Sequence, residues 1–159
     1  MELYFLRHGL AGSRSRWVGL DDERPLTDEG RARMEREAAT IEALGLSLDV
    51  IVTSPLARAY QTAEIVARKV GLLDRLVTDE RLAHGFGVRE LRGVLYDHPG
   101  AVVVMLVGHE PDFSLTVADL IGGGTVAFKK GGLARVDARD VSLGDAELVW
   151  LLPPSVLTK

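Results

Sequence analysis

The chain has 159 residues, of which 47% are hydrophobic and 26% charged, with a formal net charge of −4. This length suits a single domain over residues 1–159, and the acidic balance lacks the basic excess that a nucleic-acid partner requires. The absence of cysteine excludes disulfides and a thiolate nucleophile. No apolar run approaches membrane-spanning length and no signal-peptide pattern is present, so we expect a cytoplasmic protein without a membrane partner.

The first predicted elements are a strand, a long loop and a helix. Residues 2–6 are apolar and aromatic, which predicts a short buried strand, and this run ends in Arg7-His8-Gly9. A polar loop follows over residues 10–26, and loops of this length are often functional. Thr27 is a predicted N-cap, and the apolar stripe of the helix that it opens ends at Gly45.

The second predicted unit has the same order of strand, tight turn and helix. A strand over residues 49–53 runs into Ser54-Pro55, which has the pattern of an N-cap followed by the first helical residue. Apolar residues continue at helical spacing to Val70, and Gly71 is typical of a helix end. Arg58 is therefore expected in the first turn, where free backbone N–H groups and the helix dipole favour an anion.

The middle of the chain is the least informative part of the sequence. Within residues 72–90 we predict only a short strand at 75–78, and a helix then extends to about Tyr96. An unbroken apolar run over residues 101–107 is typical of a strand buried on both faces. It ends two residues before His109, so a second histidine follows a strand.

The last third predicts a helix and a hairpin. Pro111 suits the start of a helix that ends at the glycines 122–124, and strands at 132–137 and 146–152 are expected to pair antiparallel at the sheet edge. Alternating strands and helices predict an α/β three-layer sandwich, with a mixed, mainly parallel sheet between helices.

The last third of the chain also contains a basic cluster, which is interrupted by glycines and an aspartate. We expect it to be solvated surface, and its members are Lys129, Lys130, Arg135 and Arg139.

Three predicted strand ends deliver two histidines and two arginines. Open α/β sheets place ligands beyond the carboxyl ends of their strands, so Arg7, His8, Arg58 and His109 are expected to meet there. An arginine offers a planar fork of donors that suits a phosphoryl group, and a histidine nitrogen can attack phosphorus and carry it. Each residue alone has an ordinary structural explanation, but their joint occurrence predicts a phosphate pocket with a nucleophile.

The motifs around these residues resemble the histidine phosphatase superfamily, which includes the cofactor-dependent phosphoglycerate mutases. Leu6-Arg7-His8-Gly9 is similar to the superfamily motif. Further matches run to about Val136 and are similar to the small phosphohistidine phosphatases of the SixA type. They are Arg24-Pro25-Leu26-Thr27 with Gly30, Ser54-Pro55 with Arg58-Ala59 and Gln61-Thr62-Ala63, Val107-Gly108-His109-Glu110-Pro111, and Phe128-Lys129-Lys130-Gly131-Gly132. The resemblance implies a phosphoglycerate mutase-like fold.

The resemblance also implies a role for each site residue. His8 would be the nucleophile and would form a covalent phosphohistidine that water then hydrolyses. Arg7 and Arg58 would clamp the phosphoryl oxygens, with His109 donating to the same oxygens. The two arginines would also disfavour protonation of His8. No cofactor or metal is implied, and the four histidines lack the paired spacing of a zinc site.

The proton donor to the leaving group does not transfer directly from the resemblance. Larger members use a glutamate in the region after the second core helix, where this chain has Glu80. A solvated side chain explains Glu80 equally well, and Glu110 is a second possibility. If the substrate is phosphohistidine, the leaving imidazole can already carry its proton and needs little acid help.

Substrate size is the last inference from the sequence. Larger relatives carry an insertion between the helix that contains Arg58 and the strand at 101–107, and this insertion covers the pocket. The present chain is short in that region. We therefore predict a phosphohistidine phosphatase acting on a phosphorylated protein, with a monomer assumed. A phosphomonoesterase for a small phosphate ester is the main alternative. A mutase is a weaker alternative, because no inserted segment would keep an intermediate in the pocket until the phosphoryl group is added back. A non-catalytic module that binds phosphorylated partners is another, against which the presence of His8 argues.

Overall fold

The computed structural model describes residues 1–159 and contains one six-stranded sheet. Its strands are β1 (Glu2–Arg7), β2 (Val50–Thr53), β3 (Leu76–Thr78), β4 (Val103–Gly108), β5 (Leu133–Ala138) and β6 (Ala146–Leu152). The helices are α1 (Asp28–Ala43), α2 (Ala57–Lys69), α3 (Val88–Asp97), α4 (Asp112–Leu120) and the short α5 (Pro154–Leu157), which the sequence did not predict. None of these helices is long and apolar enough to cross a membrane.

The sheet has the mixed, mainly parallel topology that the sequence predicts. Its strand order is β3-β2-β4-β1-β5-β6. The pairs β3–β2, β2–β4 and β4–β1 are parallel, whereas β1–β5 and β5–β6 are antiparallel. The predicted hairpin therefore lies at one edge of the sheet, and the three central parallel strands end at the same side.

Alternating side chains of the strands build two cores, one on each face of the sheet. Leu3 and Phe5 of β1 belong to a cluster with residues of α3 and α4. Tyr4 and Leu6, which face the other way, belong to a cluster with residues of α1, α2 and α5. The result is a three-layer sandwich, which confirms the predicted fold class.

The predicted helix starts differ in accuracy. Thr27 is the N-cap of α1 as predicted, since its Oγ1 accepts a hydrogen bond from the Gly30 N–H at 2.9 Å. The predicted start at Ser54-Pro55 is wrong, because α2 begins at Ala57. The Ser54 hydroxyl is instead bonded to His109, at 2.7 Å from its Nε2. A serine that the sequence assigns to capping is therefore part of the polar cluster at the strand ends.

The loop over residues 10–26 is folded back over the same edge of the sheet. An antiparallel bridge between Ala11 and Leu26 closes it. Inside it, the buried Arg24 donates from Nε to the Asp21 carboxylate at 2.9 Å. The loop therefore has a defined structure that carries charged side chains to the carboxyl ends of the strands.

Candidate active site

The ends of the parallel strands surround a polar cavity of about 450 Å³. Strand register places the end of β1 beside the end of β4, with Arg7 opposite Gly108, and β2 ends on the other side of β4. The cavity brings together the four residues that the sequence predicts most strongly: Arg7, His8, Arg58 and His109. Its other cationic residues are Arg14, Arg24 and Lys130. Positive side chains outnumber the carboxylates here, which favours an anionic ligand.

His8 lies at the buried floor of the cavity, with 6% of its surface exposed. Its Nδ1 is 2.7 Å from the Gly9 carbonyl oxygen. Because a carbonyl can only accept, Nδ1 carries the proton and Nε2 holds the lone pair. Burial lowers the pKa of His8 to about 3; the Gly9 hydrogen bond opposes this shift, and His109, Arg58 and Arg7 add to it. The two arginines lower the pKa of His8 as expected from the sequence, but desolvation is the larger cause. His8 is therefore neutral at neutral pH.

The two arginines are held by contacts outside the cavity floor. Arg7 donates from Nη1 to the Phe128 carbonyl at 2.7 Å. Arg58 donates to Asp21 twice, from Nη1 to the backbone carbonyl at 2.9 Å and from Nη2 to Oδ2 at 3.1 Å. The Nε–H of both arginines is buried and has no hydrogen-bond partner. Buried donors are rarely left unpaired in folded proteins, so these two groups are candidates for contact with a ligand.

His109 provides a third unpartnered donor. Burial is the main cause that lowers its pKa to about 4, and Arg58 contributes to the same shift, so the ring is neutral at neutral pH. The Ser54 hydroxyl accepts from the Leu56 N–H at 3.2 Å and can donate to Nε2 of His109. The proton of the neutral ring then lies on Nδ1, which is buried without a partner. The His109 and His8 rings are neighbours, with centroids 5.2 Å apart.

A glycine-containing segment after α4 supports the Arg7-His8 backbone. The Gly131 N–H lies 3.1 Å from the carbonyl oxygens of both Arg7 and His8. Gly131 has a φ of +83°, and a Cβ there would lie 2.5 Å from Oε2 of the buried Glu37, so only glycine fits. The neighbouring Lys130 lines the cavity, and burial lowers its pKa. Lys130 is nevertheless exposed, which agrees with the predicted solvated surface.

The first turns of α2 hold the other side of the site. The Thr62 hydroxyl accepts from the Gly9 N–H at 3.0 Å, and the Gln61 side-chain oxygen accepts from the Leu26 N–H at 2.9 Å. A Cβ on Gly9 would lie 2.7 Å from the Met34 side chain. Gly9 is therefore required for close packing against α1.

The structure does not bring Glu80 into the cavity. Glu80 is exposed and begins a short 3₁₀ helix, Glu80–Leu82, which Asp79 caps by accepting from the Arg81 N–H. It is not among the lining residues, so its placement gives no support to the predicted role as proton donor. Glu110 does line the cavity, but its two oxygens accept from the backbone N–H and the hydroxyl of Ser114, at 2.9 and 2.6 Å.

Among the lining residues that the sequence analysis missed, Asp21 and His84 lie beside predicted site residues. Asp21 lies in the 10–26 loop and pairs with Arg58, a contact that no local pattern indicates. His84 lies beyond β3, and its ring is 6.5 Å from that of His109 with an interplanar angle of 24°. One signal in the sequence could have identified His84. The pair His84-Gly85 follows the strand predicted at 75–78, just as His8-Gly9 follows the first strand.

Comparison with known proteins identifies the family. A sequence model of the histidine phosphatase superfamily (branch 1) matches residues 3–110. The chain belongs to the histidine phosphatase superfamily. An uncharacterized protein of Picosynechococcus sp. is 34% identical to this superfamily member over 175 residues, covering 96% of this chain and all of the relative.

Solved structures place this histidine phosphatase superfamily member in the SixA-like branch. The protein histidine phosphatase SixA complexed with tungstate matches with a TM-score of 0.85 and 25% identity, over 98% of each chain. A SixA structure from Agrobacterium tumefaciens matches with a TM-score of 0.79 and 25% identity, over 96% of this chain and 98% of that one. These matches confirm the predicted branch, and the protein is a phosphatase of this superfamily.

Proposed function

We propose that this protein is a phosphohistidine phosphatase that dephosphorylates a histidine-phosphorylated protein through a covalent intermediate on His8. The observation that carries the proposal is the arrangement of unpartnered groups in the cavity. Three buried N–H donors, from Arg7, Arg58 and His109, lack partners, and His8 beside them holds a free lone pair on Nε2. A phosphoryl group would supply oxygens to the donors and a phosphorus atom to the nucleophile.

The proposed reaction has two steps. In the first, the Nε2 lone pair of His8 forms a bond to phosphorus, and the bond to the substrate nitrogen breaks and leaves its electrons on the imidazole, which carries its own proton. In the second, water attacks the phosphorus, phosphate departs and the electron pair returns to Nε2. Arg7, Arg58 and His109 stabilise the charge on the phosphoryl oxygens in both steps. The Gly9 carbonyl keeps the proton on Nδ1, so that Nε2 remains the attacking atom.

An open rim supports a protein as the source of the phosphohistidine. Between α2 and β4 the chain forms only β3, α3 and short 3₁₀ turns, and of this segment only residues 83–85 line the cavity. Val18 and Leu20 are 90% and 69% exposed in the same loop that supplies Asp21 to the cavity. Exposed apolar side chains at the rim of a charged cavity suit contact with a protein surface. The likeness to SixA, named a protein histidine phosphatase, supports the same substrate class.

Turnover of a phosphorylated protein tests this proposal. The protein should hydrolyse a histidine-phosphotransfer domain that has been chemically phosphorylated on histidine. Its kcat/KM for this substrate should be on the order of 100-fold higher than for p-nitrophenyl phosphate, because the phosphoprotein offers both an imidazole leaving group and a surface that can contact the rim. Release of phosphate from the two substrates would be measured in parallel. A preference for the nitrophenyl ester, or no turnover of the phosphoprotein, would contradict the proposed substrate.

A pair of surface variants separates docking from chemistry in the same assay. Leu20→Ser should raise KM for the phosphoprotein and leave the hydrolysis of free phosphohistidine unchanged. Leu143→Ser is the matched control, since Leu143 is also 69% exposed but lies in the turn between β5 and β6. That turn is at the opposite end of the sheet from the cavity, as the pairing of Glu2 with Asp137 shows. Equal effects of the two substitutions would show that the loop is not a docking surface.

A further inference from the structure

One cavity residue has no role in the reaction proposed above. His84 lines the cavity with His8 and His109, and its side chain is 70% exposed, so it stands at the mouth and not on the floor. Its ring lies nearly parallel to that of His109, at 6.5 Å between centroids. Its Nε2 is 3.5 Å from Oδ1 of Asp22. His84 is therefore an exposed imidazole near Asp22 and His109, with access to whatever occupies the cavity.

The carboxylates of the cavity are engaged by other groups. Asp21 contacts Arg24 and Arg58. Both oxygens of Glu110 are bonded to Ser114, and Asp112 accepts from the Phe86 N–H at 3.1 Å. Since Glu80 lies outside the cavity, His84 is the lining group best placed to exchange a proton with a substrate. An imidazole can give and take a proton near neutral pH.

The direction of phosphoryl transfer places the leaving group on the side of His84. In an in-line displacement, the attacking and leaving atoms lie on opposite sides of phosphorus. The attacking His8 is at the buried floor, so the leaving atom faces the mouth of the cavity. An alkoxide leaving there requires a proton in the transition state, whereas an imidazole that already carries its proton does not.

We propose that His84 is a catalytic acid–base residue for phosphate monoesters, which gives the same cavity a second activity toward alkyl phosphates. The proposal rests on the nucleophile assigned to His8 in the proposed function. In the first step Nε2 of His8 bonds to phosphorus, the P–O bond breaks with its electron pair on oxygen, and the His84 imidazolium gives a proton to that oxygen. In the second step neutral His84 takes a proton from the attacking water, and the P–N bond breaks with its pair returning to His8.

Dependence on the leaving group tests this role. The substitution His84→Gln should slow hydrolysis of glycerol phosphate by about 10²–10⁴-fold, the range of a positioned acid, because the alkoxide would leave without a proton. The same variant should hydrolyse p-nitrophenyl phosphate and free phosphohistidine within about threefold of the wild-type rate, since neither leaving group needs that proton. The measurement is kcat/KM for the three substrates with wild-type and variant protein.

Two control variants make the result specific. His98→Gln removes a histidine at the end of α3, outside the cavity, and Glu80→Gln removes the exposed carboxylate; both should leave all three rates unchanged. An equal loss on every substrate, no loss with His84→Gln, or no wild-type turnover of glycerol phosphate would each overturn the proposal. A failure of phosphoprotein turnover, with the predicted leaving-group dependence intact, would instead contradict only the proposed physiological substrate.

Discussion

Replacing His8 with alanine should abolish turnover of every phosphorylated substrate and leave binding of an oxyanion largely intact. Chemistry is lost because the cavity has no other buried group with a lone pair in this position, since Nε2 of His109 is occupied by Ser54. Binding persists because the donors of Arg7, Arg58 and His109 remain. Steady-state kinetics and calorimetric titration with vanadate measure the two effects on the same preparation.

The two outcomes for the His8→Ala variant distinguish a nucleophile from a structural residue. Activity within a few-fold of wild type would contradict the assignment of His8. A loss of vanadate binding together with activity would indicate that His8 shapes the cavity, because its removal would then have disturbed the arginines. A thermal melt controls for unfolding, since His8 is buried and its Nδ1 is bonded to the backbone.

Replacing Arg58 with alanine should cost about 2–4 kcal/mol of transition-state stabilisation, or roughly 30- to 1,000-fold in kcat/KM. The variant loses the proposed donor to the phosphoryl group and also removes the two hydrogen bonds that Asp21 accepts from Arg58, while Arg24 still pairs with Asp21. Arg58→Lys should recover only part of this loss. A single ammonium group cannot reproduce the two bonds to Asp21 and at the same time present an N–H to the phosphoryl group.

The matched control for Arg58 lies on the same helix. Arg68 is in α2 but is half exposed and pairs only with surface glutamates, so Arg68→Ala should leave kcat/KM unchanged. Equal activity of the Arg58→Lys variant and the wild type would show that Arg58 acts through its charge at long range and not through its forked geometry.

The parts of the site that the sequence predicts are those fixed by local pattern. Apolar runs located the ends of β1, β2 and β4, and parallel pairing then required Arg7, His8 and His109 to meet at one edge. Arg58 is in the first turn of α2 as predicted, although the helix begins later than Ser54-Pro55 suggests. Residues next to strand ends are therefore predictable even where a helix boundary is not.

The parts that the sequence could not predict depend on contacts between distant segments. The Asp21–Arg58 pair exists because the 10–26 loop folds back over the start of α2, and no spacing in the chain indicates it. His84 reaches the cavity because β3 pairs with β2 in parallel, which sets the position of the turn after β3. Glu80, four residues earlier, was chosen for its side-chain type and its position after the second core helix, but it lies outside the cavity.

Trapping the covalent intermediate tests the central claim most directly. Wild-type protein mixed with a phosphorylated substrate and quenched within milliseconds should carry one phosphoryl group on the peptide that contains His8, attached through Nε2. That bond is a phosphoramidate, so the label should be lost in acid and retained in alkali. A label that survives acid and is released by alkali, or one located on a residue other than His8, would contradict the account.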